Sequence, residues 1–360
     1  MSLVSSIIGK NLQLSVFGES HGPLIGATLH GFPSGLKIDE DYILTQLKRR
    51  APGQDKTATP RKETDTPRFV SGIHNGHTTG APITIIIENT NTLSKDYESL
   101  KNIPRPNHAD YAAMIKYSGF TDPRGGGHFS GRLTAPIVAA GALARLLLLE
   151  KGATIGGHVC QVGNTSDALF DTQICSEELS SLSAQYFAVR NSKSKEKMLE
   201  EIENARKNLD SIGGMVEVAA VGLPAGIGEP MFDTIEGNLA KLIFGIPAVK
   251  AVEFGAGTSF AQMTASESND NFTINDNGKI TAETNHCGGV LGGISSGAPV
   301  VLRATFKPTP SIAQSQQTVD MAKNQNTTLE VKGRHDPCIV PRALPVVEAV
   351  TALGLLDFMI

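Results

Sequence analysis

Polarity alternates along residues 23–30 in the manner of a half-buried strand. A Gly-apolar-Pro-x-Gly turn, Gly31-Phe32-Pro33-Ser34-Gly35, ends that run. The period then lengthens to that of a helix, with Asp39 as its N-cap and Ile43, Leu44 and Leu47 on its buried face. Ile83–Glu88 and Val300–Phe306 are β-branched runs that predict further strands. Two stretches, Leu133–Leu149 and Ala343–Ile360, are apolar on nearly every face and predict long buried helices. Residues 192–208 are rich in Lys and Glu and predict an exposed, solvated helix.

The pattern occurs twice. Gly22 is followed nine residues later by Gly31-Phe32-Pro33-Ser34-Gly35, and Gly213 nine residues later by Gly222-Leu223-Pro224-Ala225-Gly226. Further on, Gly76-His77-Thr78-Thr79-Gly80-Ala81-Pro82-Ile83 is echoed by Gly293-Ile294-Ser295-Ser296-Gly297-Ala298-Pro299-Val300. The order is kept while the spacing grows, as expected of a duplication with an insertion in the second copy. A helix over about 232–244 is expected to match the one that begins at Asp39. Each repeat, about 10–151 and about 209–360, closes on a long apolar helix, and no Pro/Ser-rich linker divides them. The expectation is α+β: one intertwined domain spanning 1–360, its halves packed about a pseudo-two-fold axis.

Composition narrows the function. The chain has 360 residues and a net charge of −4, and aromatics are 5% with no Trp. A basic footprint and stacking platform for nucleic acid are therefore not expected. Both long apolar stretches carry charges or Pro and fall short of an uninterrupted membrane span, and the N-terminus has no basic region before an apolar one. Cys160, Cys175, Cys287 and Cys338 form no C-x-x-C pair, which suits reduced thiols in the cytoplasm. His74 and His77 lack the partners that would complete a metal site, and none is expected. The 37 glycines are in excess and cluster at turns beside polar residues.

Those turns hold the candidate chemistry. Gly18-Glu19-Ser20-His21-Gly22 offers a hydroxyl and an imidazole, and Arg105-Pro106-Asn107-His108-Ala109-Asp110 a second imidazole. Arg124-Gly125-Gly126-Gly127-His128-Phe129-Ser130-Gly131-Arg132 runs into a helix start, where free N–H groups and two guanidiniums suit an anion. It is neither a Walker A loop nor a dinucleotide fingerprint. Residues 48–68 are basic and Pro-broken, and read equally as a lid over an anionic substrate or as a solvated loop.

Taken together, seven motifs resemble the chorismate synthase family. They are Phe17-Gly18-Glu19-Ser20-His21-Gly22, Arg49-Arg50-x-Pro52-Gly53, Arg105-Pro106-x-His108-Ala109-Asp110-Tyr111, Arg124-Gly125-Gly126-Gly127, Gly292-Gly293-Ile294-Ser295-Ser296-Gly297, Lys307-Pro308-Thr309 and Lys332-Gly333-Arg334-His335-Asp336-Pro337-Cys338. They run in order from about residue 10 to residue 355. The resemblance implies a β-α-β sandwich with internal pseudo-symmetry, assembled as a homotetramer. It implies an anti 1,4-elimination of phosphate from 5-enolpyruvylshikimate 3-phosphate, giving chorismate with reduced FMN and no net oxidation.

By the same resemblance, His21 would protonate reduced flavin, His108 would be the acid for the departing phosphate, and Asp336 with Ser20 would assist proton removal. Flavin contacts would fall at His128, Phe129, Ser130, Pro247, Ala248, Gly292, Lys307, Pro308, Thr309, Pro310, Ser311 and Arg334. Arg49 and Arg132 would meet substrate anions, and Arg50 and Lys56 the phosphate of NADP. Ala51 and Lys56 depart from the arginines of many relatives, and His128-Phe129 from the Arg-Ser of some. Nothing resembles an added reductase segment, so a separate flavin reductase is the expected partner, with NADPH as a possible reductant.

Overall fold

The structure, a computed structural model, describes residues 6–54, 57, 65–90, 102–275, 278–331 and 335–360. Two five-stranded antiparallel sheets enclose a layer of helices. In the first sheet the strands run in the order Ile7–Ile8, Gln13–Gly18, Leu24–His30, Ile83–Glu88, Arg68–Ser71. In the second the order is Thr165–Ser166, Thr154–Val162, Gly214–Val221, Val300–Phe306, Val249–Phe254. The helix Thr134–Glu150 lies against the first sheet and against the helix Val340–Asp357, which in turn lies against the second. One face of each sheet is therefore apolar: Ile25, Ala27 and Leu29 point inward from the first, Val216, Val218 and Ala220 from the second.

Local signals account for the helices. Asp39 accepts from the Tyr42 amide at 2.9 Å and starts Glu40–Arg50, and Thr234 caps Ile235–Phe244. Ile43 and Leu47 are buried as expected, but Leu44 is 42% exposed. At 3.6 residues per turn Leu44 sits about 100° round from Ile43, and the neighbouring helices cover only the Ile43/Leu47 stripe. Ser192–Lys207 is less solvated than its charge implied, because Met198 and Ile202 are buried. The segment Gly131–Glu150 is long and apolar enough to cross a membrane by composition alone, but 78% of it is buried within this fold. Val340–Asp357 begins earlier than its apolar run because Pro341 fits the first helical turn.

The helix layer also holds charge. Arg49 and Arg145 both bond the fully buried Glu348, at 2.5 and 3.0 Å. Burial alone would raise the Glu348 pKa, but the two guanidiniums overcome it and the carboxyl is held below its usual range.

Candidate active site

Strand Gln13–Gly18 turns back into Leu24–His30 through a five-residue connection that carries Ser20 and His21, both buried. The Ser20 amide donates to Gly127 O at 3.1 Å. Gly125, Gly126 and Gly127 all have positive φ (60°, 83° and 53°), which favours glycine. A Cβ on Gly125 would stand 2.2 Å from His21 Nδ1 and 2.7 Å from Ser20 Oγ. One on Gly126 would stand 3.3 Å from His108 Nε2. The glycine run thus lies against both imidazoles, Gly125 against His21 and Gly126 against His108, with little room for side chains there.

His108 sits in a loop braced by charge. Its Nδ1 lies 2.5 Å from Asp110 Oδ1, while Arg105 donates to Asp110 through its amide (3.0 Å), Nε (2.7 Å) and Nη2 (2.8 Å). Burial works against the Asp110 carboxylate, but bonds from Arg105 and His108 more than offset it and hold its pKa far below the usual range. The other half of the chain grips this loop: Arg105 Nη1 donates to Ser311 Oγ at 3.2 Å, Lys307 Nζ to Asn107 O, and Thr318 Oγ1 to Pro104 O at 2.6 Å. Lys307 N in turn donates to Ala248 O at 3.0 Å, which joins the Pro247-Ala248 turn to the same region.

Two buried polar atoms beside these groups, His335 Nε2 and Thr309 Oγ1, have no hydrogen-bond partner among the described residues. The His335 pKa is lowered by burial and then by the charge of Arg105, against the pull of Asp336. Asp336 is ion-paired with Arg342, whose Nε donates to Arg50 O at 2.9 Å. Arg50 bonds Asp65 (2.6 Å) and Thr134 Oγ1 (3.2 Å), and Arg132 bonds the other oxygen of Asp65 and Asn89 Oδ1 (3.1 Å). Burial would raise the Asp65 pKa, but the two guanidiniums lower it.

Ser20, His21, His108, Lys307, Thr309 and Ser311 are therefore brought into one region, with Asp336 next in sequence to His335. Pro308 and Pro310 lie in the same 307–311 segment, where Thr309 O accepts from Ser211 Oγ at 2.7 Å and Pro310 O from Gln316 Nε2 at 3.3 Å. His128 has both ring nitrogens engaged, with Gly18 O (2.9 Å) and Ser6 Oγ (3.2 Å), so its side chain holds the turn in place. Phe129 is partly exposed, 6.4 Å from the Tyr117 ring, and Ser130 Oγ accepts from Arg132 N at 3.3 Å. Gly292 lies in the turn between Val290–Leu291 and Ile294–Ser295, and no described contact links it to this region. Lys56 and Arg334 fall outside the described residues.

Arg49 requires a correction. It was expected to meet substrate, but its guanidinium is 3% exposed and saturated by Glu348, Gln46 and Gln185 O. A fork spent on a core carboxylate has no face left for a ligand. Conversely, Arg105, Asp110 and Asp65 organise the site although no role was assigned to them. The signal for the first two was the Arg-x-x-His-x-Asp spacing itself; Asp65 offered none.

The chain is similar to known proteins over nearly its whole length. The family model described as Chorismate synthase matches residues 12–360. The chain is 46% identical to the chorismate synthase of Thermococcus kodakarensis over 352 residues, covering 98% of this chain and 97% of that one. It is 45% identical to that of Dehalococcoides mccartyi over 354 residues, covering 98% and 96%. A solved structure, "Crystal Structure of Chorismate Synthase", superposes with a TM-score of 0.77 at 27% identity, covering 98% of this chain and 92% of that one. The chain therefore belongs to the chorismate synthase family, and is an enzyme of that family's type, a lyase that forms chorismate by eliminating phosphate from 5-enolpyruvylshikimate 3-phosphate.

Proposed function

We propose that the region around Gly125–Gly127 is the catalytic site of this elimination, with His108 as the acid for the departing phosphate and His21 as the residue that protonates reduced flavin. The observation that carries this is the pair of imidazoles that meet at consecutive glycines, His21 at Gly125 and His108 at Gly126. Histidine suits both positions because its ordinary pKa lies near neutrality. Ser20 and Asp336 flank the site as polar groups for proton removal, and Arg132 is the anion contact, held by Asp65 and Asn89.

The family uses reduced flavin, and the residues here fit FMN. The unpartnered His335 Nε2 and Thr309 Oγ1 are buried polar atoms of the kind a ligand satisfies. Thr309, Ser311, Lys307, Ala248 and the 128–130 backbone would hold it. Reduced FMN held there would supply electron density for the breaking C–O bond, with no net oxidation. Arg50 shares the Asp65 carboxylate with Arg132 and stands beside it at the site. NADPH enters, in this reading, only through a separate reductase.

The matching strand orders of the two sheets support a duplicated single domain in a β-α-β sandwich about a pseudo-two-fold axis, with the second half beginning at about residue 152 rather than 209, because Thr154–Val162 pairs with Gly214–Val221 as Gln13–Gly18 pairs with Leu24–His30. Partly exposed apolar residues on the outer face of the first sheet, Phe17 and Val70, support assembly as a homotetramer. The four free cysteines support a cytoplasmic setting.

The test is anaerobic phosphate release with prereduced FMN. His108→Ala is expected to lower kcat on the order of 10²–10⁴-fold, the usual worth of a general acid, while FMN still binds. Unchanged turnover would remove His108 from the chemistry.

A further inference from the structure

Resting on that assignment of His108, we propose that Asp110 is the positioning residue of the acid: it holds His108 in the tautomer with the proton on Nδ1, so that Nε2 serves the reaction. Three observations combine. Asp110 Oδ1 is 2.5 Å from His108 Nδ1. A Cβ on Gly126 would stand 3.2 Å from His108 Cε1 and 3.3 Å from Nε2, so the turn that borders the site meets the Cε1–Nε2 edge of the ring. Asp110 itself is fixed by three bonds from Arg105, and Arg105 by Ser311 of the other half.

Arg105 Nη2 is also 3.1 Å from His108 Nδ1, and the two neighbours make opposite demands. A guanidinium only donates and an ionised carboxylate only accepts, so Nδ1 cannot satisfy both. The shorter contact and the ionised state of Asp110 decide for Nδ1–H donating to Asp110, with the Arg105 fork bound to the same carboxylate. The charged groups facing this loop are Arg105 and Asp110 from within it, and Lys307 and His335 from the other half. Among them Asp110 supplies the negative charge in contact with the ring.

The experiment measures kcat and KM for phosphate release in the wild type, Asp110→Asn, Asp110→Glu and His108→Ala, together with ¹⁵N spectra of His108 in the wild type and in the two Asp110 variants. Asp110→Asn should lower kcat on the order of 100-fold with little change in KM. It should also remove the Nδ1–H preference of neutral His108 in the ¹⁵N spectrum of the variant. Asp110→Glu should recover part of both. The neutral His108 of the wild type should carry its proton on Nδ1, a measurement that needs no variant to fold. An unchanged kcat in Asp110→Asn, or an Nε2–H tautomer in the wild type, would overturn the proposal. Full turnover by His108→Ala would instead overturn the site assignment on which it rests.

Discussion

The two sheets have the same strand pairing but opposite outer faces. In the first, Phe17, Gly26, Ile86 and Arg68 are paired in one row across four strands. In the second, the row at the corresponding register is His158, Glu217, Arg303 and Glu253. The first row is half-exposed, with the Phe17 ring lying over Gly26. The second is a buried ladder of alternating charge: His158 Nε2 is 3.1 Å from Glu217, Glu217 is 3.3 Å from Arg303, and Arg303 is 3.4 Å from Glu253.

The connections explain the difference. Five residues join the inner strands of the first sheet, too few to cover its outer face, and they carry Ser20 and His21. The equivalent connection in the second half, from Val162 to Gly214, carries the helices Ser176–Ser183 and Ser192–Lys207 and packs Phe170 on the His158 ring at 4.7 Å. A short turn gives a rigid mount for chemistry, and a long one a roof. Under the roof, polar groups must be paired.

The sharpest way to break this contrast is Glu217→Ala. It leaves Arg303 and His158 buried without their shared carboxylate, and is expected to cost about 3–5 kcal/mol in urea unfolding. A cost no larger than that of an exposed substitution would show that the ladder does not hold the sheet. Next comes the equivalent position of the first sheet. Gly26→Val places a Cβ 2.4 Å from the Phe17 ring and 2.7 Å from Ile85 O. The overpacking should cost about 1–3 kcal/mol in the same assay, with part of it returned when Phe17→Ala is added. No recovery in the double variant would mean that the ring is not the obstacle.

The smallest effect is one of pH. Burial pulls the His158 pKa down, but the carboxylates of Asp167 (3.5 Å) and Glu217 (3.1 Å) more than offset this and raise it above the ordinary value. A raised folded-state pKa stabilises the fold fully below the unfolded value and ceases to do so as pH rises through the folded one. The stability gap between wild type and His158→Gln should therefore be widest in mild acid and narrow toward alkaline pH. A gap that widens with rising pH would contradict a protonated His158.

Much of this was legible in the chain. Strands at Ile83–Glu88 and Val300–Phe306 occur as their β-branched runs predict, since a run that fits one element needs no distant partner to choose it. The glycine run at 125–127 announced a close approach because three successive glycines adopt such backbone angles without strain and leave no side chain in the way. What was approached, however, came from residues around 20 and 108, and the loop that holds His108 is gripped by residues around 307 and 311.

Arg49 and Arg50 mark the boundary between the two kinds of information. As letters they are interchangeable, and the sequence alone determined only that two cations end a capped helix. A step of about 100° round that helix sends one guanidinium to Glu348, 299 residues away, and the other to Asp65 beside Arg132. Local propensity and period are properties of neighbouring residues and can be read from them. Which charge is spent on the core and which stands at the site depends on partners that only folding brings together, and that choice belongs to the tertiary structure.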